Sequence, residues 1–291
     1  MANSPSAGSI TQAVRPPPFQ IGTTQRRERY LKMLVYGNYG VGKTTLACSA
    51  LEVPSMNDII LISAESGTLS VAEQAIDEVT VRDFRTFGAI NEFLKQHCKA
   101  RDEGNEEFLQ QSEAKLKRVE PSDIKKPRHY NTVIIDSLSE VEAYCFNQLL
   151  GITDTTRLDD VPQSAEWTEY KQNHTMMQRV VRGFRDLPMH VIFTAGEQYT
   201  QDEAKRLKYS PDMTGKLAKK VQGFMDMVGY YVMAQSGEKI ARRLYVMPST
   251  AGKYDAKHRY AAFKGDHFED PSIKKILTQV GLADKDGVPL K

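Results

Sequence analysis

Apolar residues recur along this chain as short uninterrupted runs that end in a polar residue or glycine. Four such runs lie at 33–36, 59–62, 133–135 and 191–193. A strand that is covered on both faces of a parallel sheet can be apolar at every position, so these runs predict buried parallel strands. A shorter run at 79–81 predicts one more strand.

The segments between these runs place their apolar residues at helical spacing instead. We predict helices over 44–51, 87–99, 139–150 and 167–184. In the last of them we expect the lone Trp167 and the methionines to belong to the core. Strands that alternate with helices indicate an α/β fold with a mostly parallel central sheet flanked by helices.

The C-terminal third changes to shorter elements. Residues 217–228 give one more apolar helical face, and the runs 230–234 and 243–248 predict a β-hairpin around Ser236 and Gly237. We therefore expect β-hairpins at the C-terminal side of the core, followed by a last short helix.

The chain has 291 residues, of which 40% are hydrophobic, and this is enough for one large core. Residues 1–25 are rich in Ser, Pro, Ala and Gly and are predicted to form a disordered arm. The predicted core covers 26–268, with a charged surface insertion at 99–128. Residues 269–291 are predicted to form a C-terminal helix and tail.

Net charge and cysteine usage exclude some classes of protein. Because 39 basic residues face 37 acidic ones, no global field would draw the chain to nucleic acid or membrane, and such binding must come from local patches. Cys48, Cys98 and Cys145 lie far apart and are expected to be buried thiols of a reducing cytoplasm. Apolar runs stay well below the ~18 residues of a membrane span, so we expect a cytoplasmic protein without membrane contact.

A glycine-rich segment directly follows the first predicted strand and fills the pattern G-x-x-x-x-G-K-[ST]. Glycines let such a loop fold its backbone N–H groups around phosphates, and the following helix points its positive end at the anion. Lys43 is expected to reach the β- and γ-phosphates, and the Thr44 hydroxyl to bind Mg²⁺. The predicted nucleotide-binding residues of this segment are Gly37, Asn38, Tyr39, Gly40, Val41, Gly42, Lys43, Thr44 and Thr45.

Two acidic residues follow predicted strands. Asp136 ends the run 133–135, as expected for a Walker B aspartate that holds Mg²⁺ through water on a strand beside the phosphate-loop strand. Glu65 lies just past the run 59–62, at the edge where open α/β sheets place their ligands. ATP and Mg²⁺ are the implied cofactors.

The run 191–193 leads into further polar residues, among which Thr194, Glu197 and Gln198 are candidates for a γ-phosphate sensor. After it, residues 199–220 combine cations with aromatic side chains in what we predict to be a loop. Charges that follow phosphates and rings that stack on bases suit single-stranded nucleic acid, although a solvated loop would have the same composition. The predicted DNA-binding residues are Tyr199, Lys205, Arg206, Lys208, Tyr209 and Lys216.

This order of glycine loop, acidic strand ends, sensor strand, basic loop and hairpin resembles the RecA-like branch of P-loop ATPases. More narrowly, it is similar to phage-type nucleotide-binding proteins with a minimal RecA core that act as recombinases or single-strand annealing proteins. The resemblance implies that Glu65 polarises the attacking water and that Gln198 lies near the sensor position. It also implies that Lys257 and Arg259, a K-x-R pair, reach a neighbouring subunit's site.

The resemblance implies a Mg²⁺-dependent ATPase that binds single-stranded DNA and promotes homologous recombination by annealing or strand exchange. Its expected partners are further copies of the chain in a ring or filament and a single-strand-binding protein, in the host cytoplasm if a phage encodes it. A helicase-like or loader motor, a P-loop kinase and a nucleotide-gated scaffold without catalysis are alternatives.

Overall fold

The computed structural model describes residues 30–65, 67–74, 76–117, 127–153, 155–157, 159–160, 163–201, 205–236 and 239–290. The predicted N-terminal arm lies outside these ranges, as do residues 118–126 of the predicted surface insertion. The predicted turn at Gly237 also lies outside them.

Strands and helices alternate through the first two thirds of the described chain, as the hydrophobic pattern predicts. The strands are β1 (Lys32–Tyr36), β2 (Ile59–Ser63), β3 (Asp77–Thr80), β4 (Thr132–Asp136), β5 (His190–Ala195), β6 (Glu197–Gln201), β7 (Leu207–Pro211), β8 (Met227–Ser236), β9 (Lys239–Tyr245), β10 (Lys257–His258) and β11 (His267–Glu269). The four long apolar runs become β1, β2, β4 and β5, whose residues are almost completely buried.

The helices are α1 (Lys43–Cys48), α2 (Phe84–Asp102), α3 (Glu106–Lys115), α4 (Leu138–Leu149), α5 (Trp167–Arg185), α6 (Leu217–Phe224) and α7 (Ile273–Gln279). Short 3-10 turns follow α1 and β2 at Ser49–Glu52 and Thr68–Val71. Among the described residues, no helix combines the length and the apolar content that crossing a bilayer requires.

Nine strands of the described chain form one sheet in the order β11-β9-β8-β1-β5-β4-β2-β3, with β10 beside β8. The six strands from β8 to β3 run parallel to their neighbours, whereas β9, β10 and β11 pair in antiparallel fashion. The strands β8 and β9 form the predicted C-terminal hairpin. The predicted RecA-like α/β fold with a mostly parallel sheet is therefore confirmed.

Helices cover both faces of this sheet. On one face, α2, α4, α5 and α6 contribute buried residues to a large cluster that includes Phe87, Val141 and Phe184. On the other face, α1 and α7 pack with residues such as Leu46 and Ile276. Because the sheet is buried on both sides, its parallel strands can be apolar throughout.

The position of β4 differs from the prediction. The sequence led us to place the strand of Asp136 beside the phosphate-loop strand, but β5 lies between them and pairs with both. The neighbour of β4 on its other side is β2, so Ser63 is in register with Asp136. The acidic ends of β2 and β4 are thus adjacent, as expected. The strand β5, which leads to the predicted sensor residues and is called the sensor strand below, separates them from the glycine loop.

Two further expectations are corrected. The predicted basic loop is a second hairpin, because β6 and β7 pair from Glu197 with Pro211 to Gln201 with Leu207. Both strands are largely polar around one central tyrosine, and antiparallel strands that face solvent accommodate such a composition. Trp167 is not a core residue, since 73% of its surface is exposed, whereas Met177 is fully buried as predicted.

Candidate functional site

The glycine loop connects β1 to α1 at the carboxyl end of the parallel strands. A Cβ atom on Gly37 would lie 2.1 Å from the carbonyl oxygen of Tyr231, so only glycine fits there. Gly40 and Gly42 adopt φ values of 73° and 98°, in the left-handed region that other residues rarely enter. These constraints explain the glycines of the motif and shape a loop whose backbone N–H groups can face phosphates.

Lys43, the first residue of α1, lies across the mouth of this loop. Only 8% of its surface is exposed, and its ammonium donates to the carbonyl oxygens of Gly37 at 3.0 Å and Asn38 at 3.1 Å. Burial lowers its pKa, and the carboxylates of Glu65, Asp136 and Glu197 act in the opposite direction. Lys43 is therefore within electrostatic reach of both acidic strand ends.

Asp136 joins α1 to the sensor strand. The Thr44 hydroxyl donates to its Oδ2 atom at 2.7 Å, and the Thr194 hydroxyl donates to its Oδ1 atom. A hydroxyl and a carboxylate held side by side at the end of a phosphate loop are oxygen ligands of the kind that Mg²⁺ prefers. Thr44 and Asp136 therefore fit a metal that is bound together with a nucleotide.

Glu65 lies just past β2, next to Asp136. The backbone N–H groups of Ala64 and Glu65 donate to the Asp136 carbonyl at 2.7 and 3.3 Å. The Ser137 hydroxyl donates to Glu65 Oε1. These bonds orient an exposed carboxylate beside the Walker B position, where it can accept a proton from a water molecule.

At the end of β5 the structure favours Thr194 and Glu197 over Gln198. The Gln198 amide nitrogen donates to the carbonyls of Pro211, at the end of β7, at 3.0 Å and of Met213, just after it, at 2.7 Å. Thr194 contacts Asp136 directly, and Glu197 acts electrostatically on Lys43. The Glu197 Oε2 atom is buried and has no hydrogen-bond partner among the described residues.

Lys257 and Arg259 do not join this cleft within the chain. Lys257 pairs with Val228 near the start of β8, at the amino end of the parallel strands and therefore opposite the glycine loop. Lys257 and Arg259 both donate to the Gly223 carbonyl, and Arg259 forms an ion pair with Asp226 at 3.0 Å. The predicted reach of this pair into a neighbouring subunit stays a prediction.

The predicted DNA-binding residues lie on the β6–β7 hairpin and the turn that follows it. Tyr199 is 68% exposed, and Lys205 is exposed with a φ of 58°. Tyr209 is half-buried because its ring stacks on Tyr230 with centroids 5.6 Å apart. The Lys208 ammonium lies 2.8 Å from Asp255.

Arg242 is a residue of the site that sequence analysis missed. Its Nε atom donates to the Val41 carbonyl of the glycine loop at 3.1 Å, and its backbone N–H donates to Asp270 at 2.9 Å. The register of β8 and β9 alone brings it there. No motif in the sequence predicts this contact.

A family model described as AAA domain matches residues 29–260. No curated protein matches the sequence. The solved structures that resemble the chain in fold include the following three. A KaiC-like protein from Pyrococcus horikoshii OT3 has a TM-score of 0.36 and 12% identity, and the alignment covers 74% of this chain and 79% of that one.

The flagellar accessory protein FlaH from Methanocaldococcus jannaschii has a TM-score of 0.36 at 10% identity, covering 82% of this chain and 85% of its own. The RadB recombinase has a TM-score of 0.39 at 14% identity, and the alignment covers 82% of this chain and 86% of that one. Similarity at this level carries no conclusion about function. The family match spans most of the chain and includes the glycine loop and both acidic strand ends, and the chain therefore belongs to the AAA-domain family of P-loop ATPases.

Proposed function

We propose that this chain is a Mg²⁺-dependent ATPase that binds single-stranded DNA and promotes homologous recombination by annealing or strand exchange, as an oligomer in the cytoplasm. The observation that supports the ATPase part of this proposal is the arrangement of side chains in the cleft. Lys43 lies within electrostatic reach of Glu65 and Asp136, and Thr44 is hydrogen-bonded to Asp136. The AAA-domain family generally uses ATP and Mg²⁺, which agrees with these side chains.

Each side chain of the cleft has a role in hydrolysis. Lys43 would contact the β- and γ-phosphates of a bound nucleotide, and Thr44 and Asp136 would hold Mg²⁺. Mg²⁺ bound there would supply positive charge that stabilises the negative charge of the phosphates. Glu65 accepts the proton of the attacking water, and its bond from Ser137 keeps the carboxylate oriented.

The DNA half of the proposal relies on the hairpin that begins one residue after the sensor strand. Its exposed cations and Tyr199 suit phosphates and bases. Its base is tied to the helix after Walker B, because the Ser139 hydroxyl donates to Asp212 O at 2.9 Å and accepts from Gly196 N at 3.0 Å. This connection gives the nucleotide site and the hairpin a shared rigid support.

An oligomer would complete the site. Lys257 and Arg259 lie at the edge of the sheet opposite the glycine loop, where they could meet the loop of an adjacent copy in a head-to-tail assembly. A guanidinium supplied from a neighbour stabilises charge on the transferred phosphate and makes hydrolysis depend on assembly.

The ATPase rate with and without single-stranded DNA, combined with negative-stain imaging of the same samples, tests this proposal. We expect DNA to raise the rate and open filaments or annealing assemblies to form. Closed rings that unwind duplex directionally would instead support a helicase-like motor. Stimulation of ADP release by a soluble phosphoryl acceptor, with no response to DNA, would support a kinase.

A further inference from the structure

Trp167, the sole tryptophan, begins α5 and is 73% exposed. Large aromatic side chains are usually buried to a high degree, so this exposure is informative. Trp167 borders a cavity of about 520 Å³ that Tyr170, Lys171 and His174 also line. The turn at residues 214–216 closes the cavity on its other side.

The four residues of α5 follow the spacing i, i+3, i+4 and i+7, so they form one stripe along the helix. The next turns of α5 bury Met177 and Val181 in the core, whereas the first two turns carry the exposed aromatic rings. The Lys171 ammonium lies 5.4 Å from the centre of the Trp167 ring. The stripe therefore combines flat aromatic faces with a cation.

Two lysines are among the residues that line this cavity. Lys171 and Lys216 are exposed at its rim. Glu166 and Glu169 keep their negative charge, but their side chains bond to the backbone at the start of α5 in a capping box and do not line the cavity. Lining cations beside stacking faces complement a chain of phosphates and bases better than an apolar protein surface.

The turn that carries Lys216 is held firmly. Glu142, a buried residue of α4, accepts hydrogen bonds from the Thr214 N–H at 3.0 Å and from the Thr214 hydroxyl. Asn173 of α5 donates to the same carboxylate at 2.6 Å, and His174 Nε2 lies 3.1 Å from the Thr214 carbonyl. The two walls of the cavity are thus fixed relative to each other by a buried network.

We propose that this cavity is a base-stacking site for single-stranded DNA, in which a base stacks on Trp167 and Lys171 and Lys216 contact the flanking phosphates. The proposal rests on the DNA binding that we propose for this chain, and it extends the DNA surface from the hairpin to the start of α5. Since α4 begins directly after the Walker B strand, Glu142 also connects this surface to the nucleotide site.

Titration of the full-length protein with single-stranded oligothymidylate, followed by tryptophan fluorescence, tests the site. A base stacked on the indole quenches its emission, and the signal is unambiguous because the chain has one tryptophan. Trp167→Ala should weaken binding, measured by anisotropy of a labelled oligonucleotide, by roughly tenfold. Trp167→Phe keeps a stacking face and should recover most of the affinity.

The two lysines can be tested separately through the salt dependence of DNA binding. Replacing Lys171 and Lys216 together by alanine should lower the slope of log affinity against log salt by about 0.7 for each lost phosphate contact. The charge-matched control replaces Lys264 and Lys285, which are exposed next to the core cluster on the opposite face of the sheet. It should leave the slope unchanged.

Three results would overturn the inference. If oligothymidylate binds without a change in fluorescence and Trp167→Ala binds with wild-type affinity, DNA contacts another surface while the proposed function stands. If the wild-type protein does not bind the oligonucleotide, the proposed DNA function fails and this site fails with it. If Trp167→Ala changes the sedimentation of the protein without DNA, the cavity is a contact between copies.

Discussion

The cleft at the glycine loop and the surface formed by the β6–β7 hairpin and the start of α5 are built in opposite ways. In the cleft, Lys43 and Asp136 are buried and hydrogen-bonded, and each is placed by the end of a buried strand or the start of a helix. On the hairpin surface, Lys205 and Trp167 stay exposed. The hairpin itself forms a separate two-stranded sheet.

This contrast matches the two tasks that we propose. Stabilising charge on a reacting phosphate requires dipoles and charges that are fixed and shielded from water. Holding a flexible polyanion requires charges that remain in solvent and release counterions. The first kind of site fails when one group is removed, whereas the second weakens in steps, so substitutions should separate the two regions.

The largest effect should follow from Lys43→Ala. Its ammonium is the buried cation of the cleft, and its loss should abolish ATP binding and lower the hydrolysis rate by at least about 10²- to 10³-fold. Equilibrium nucleotide binding and a phosphate-release assay measure this, with circular dichroism to confirm folding. Lys219→Ala, on the exposed face of α6, serves as the control. Wild-type turnover in Lys43→Ala would remove the nucleotide-site assignment.

Glu65→Gln tests the other half of the cleft. The amide cannot take a proton from water but keeps the shape of the side chain, so hydrolysis should fall by about 10²- to 10⁴-fold. ATP should still bind, because Lys43, Thr44 and Asp136 are unchanged. Single-turnover hydrolysis and nucleotide affinity, measured on the same preparation, separate the two effects. Normal hydrolysis would leave Glu65 without a catalytic role. Lost hydrolysis with unchanged DNA binding and annealing would instead favour a nucleotide-gated scaffold.

The two regions also differ in how much of them can be predicted from the sequence. The cleft residues were predictable because the glycine motif and the strand ends place their side chains by local geometry, as Lys43 and Asp136 show. The strand order was not predictable, because no local sequence feature determines that β5 lies between β1 and β4. The exposure of Trp167 was missed for a similar reason. An aromatic residue at helical spacing indicates the core unless the neighbouring elements are known.

On the hairpin surface, a triple substitution of Lys205, Arg206 and Lys208 by alanine should weaken single-stranded DNA binding by roughly tenfold and flatten its salt dependence. The ATPase rate without DNA should stay normal, because the cleft keeps its own hydrogen bonds. Salt titrations of DNA affinity measure the effect.

The charge-matched control for this variant replaces Lys264, Lys274 and Lys285, which lie near or on α7 on the other face of the sheet. Equal weakening by both triple variants would mean that only the overall charge of the protein matters. Unchanged DNA binding in the hairpin variant would assign the contact to another surface.

The smallest effect concerns how the hairpin is attached to the main sheet. Lys208 lies 2.8 Å from Asp255, but 49% of its side chain is exposed, and ion pairs of this kind contribute about 1 kcal/mol or less. Tyr209 instead stacks on Tyr230, and its backbone N–H donates to the Lys253 carbonyl at 2.8 Å. We therefore expect the aromatic contact to be the main attachment.

Urea denaturation should show that Lys208→Ala lowers the free energy of unfolding by less than about 1 kcal/mol, with the loss smaller at high salt. Tyr209→Ala removes a half-buried ring from the stack and should cost about 2 to 4 kcal/mol. A loss near 3 kcal/mol for Lys208→Ala would mean that the ion pair holds the hairpin. The hairpin would then depend on a fixed charge, as the cleft depends on Lys43 and Asp136. The two regions would no longer differ in this respect.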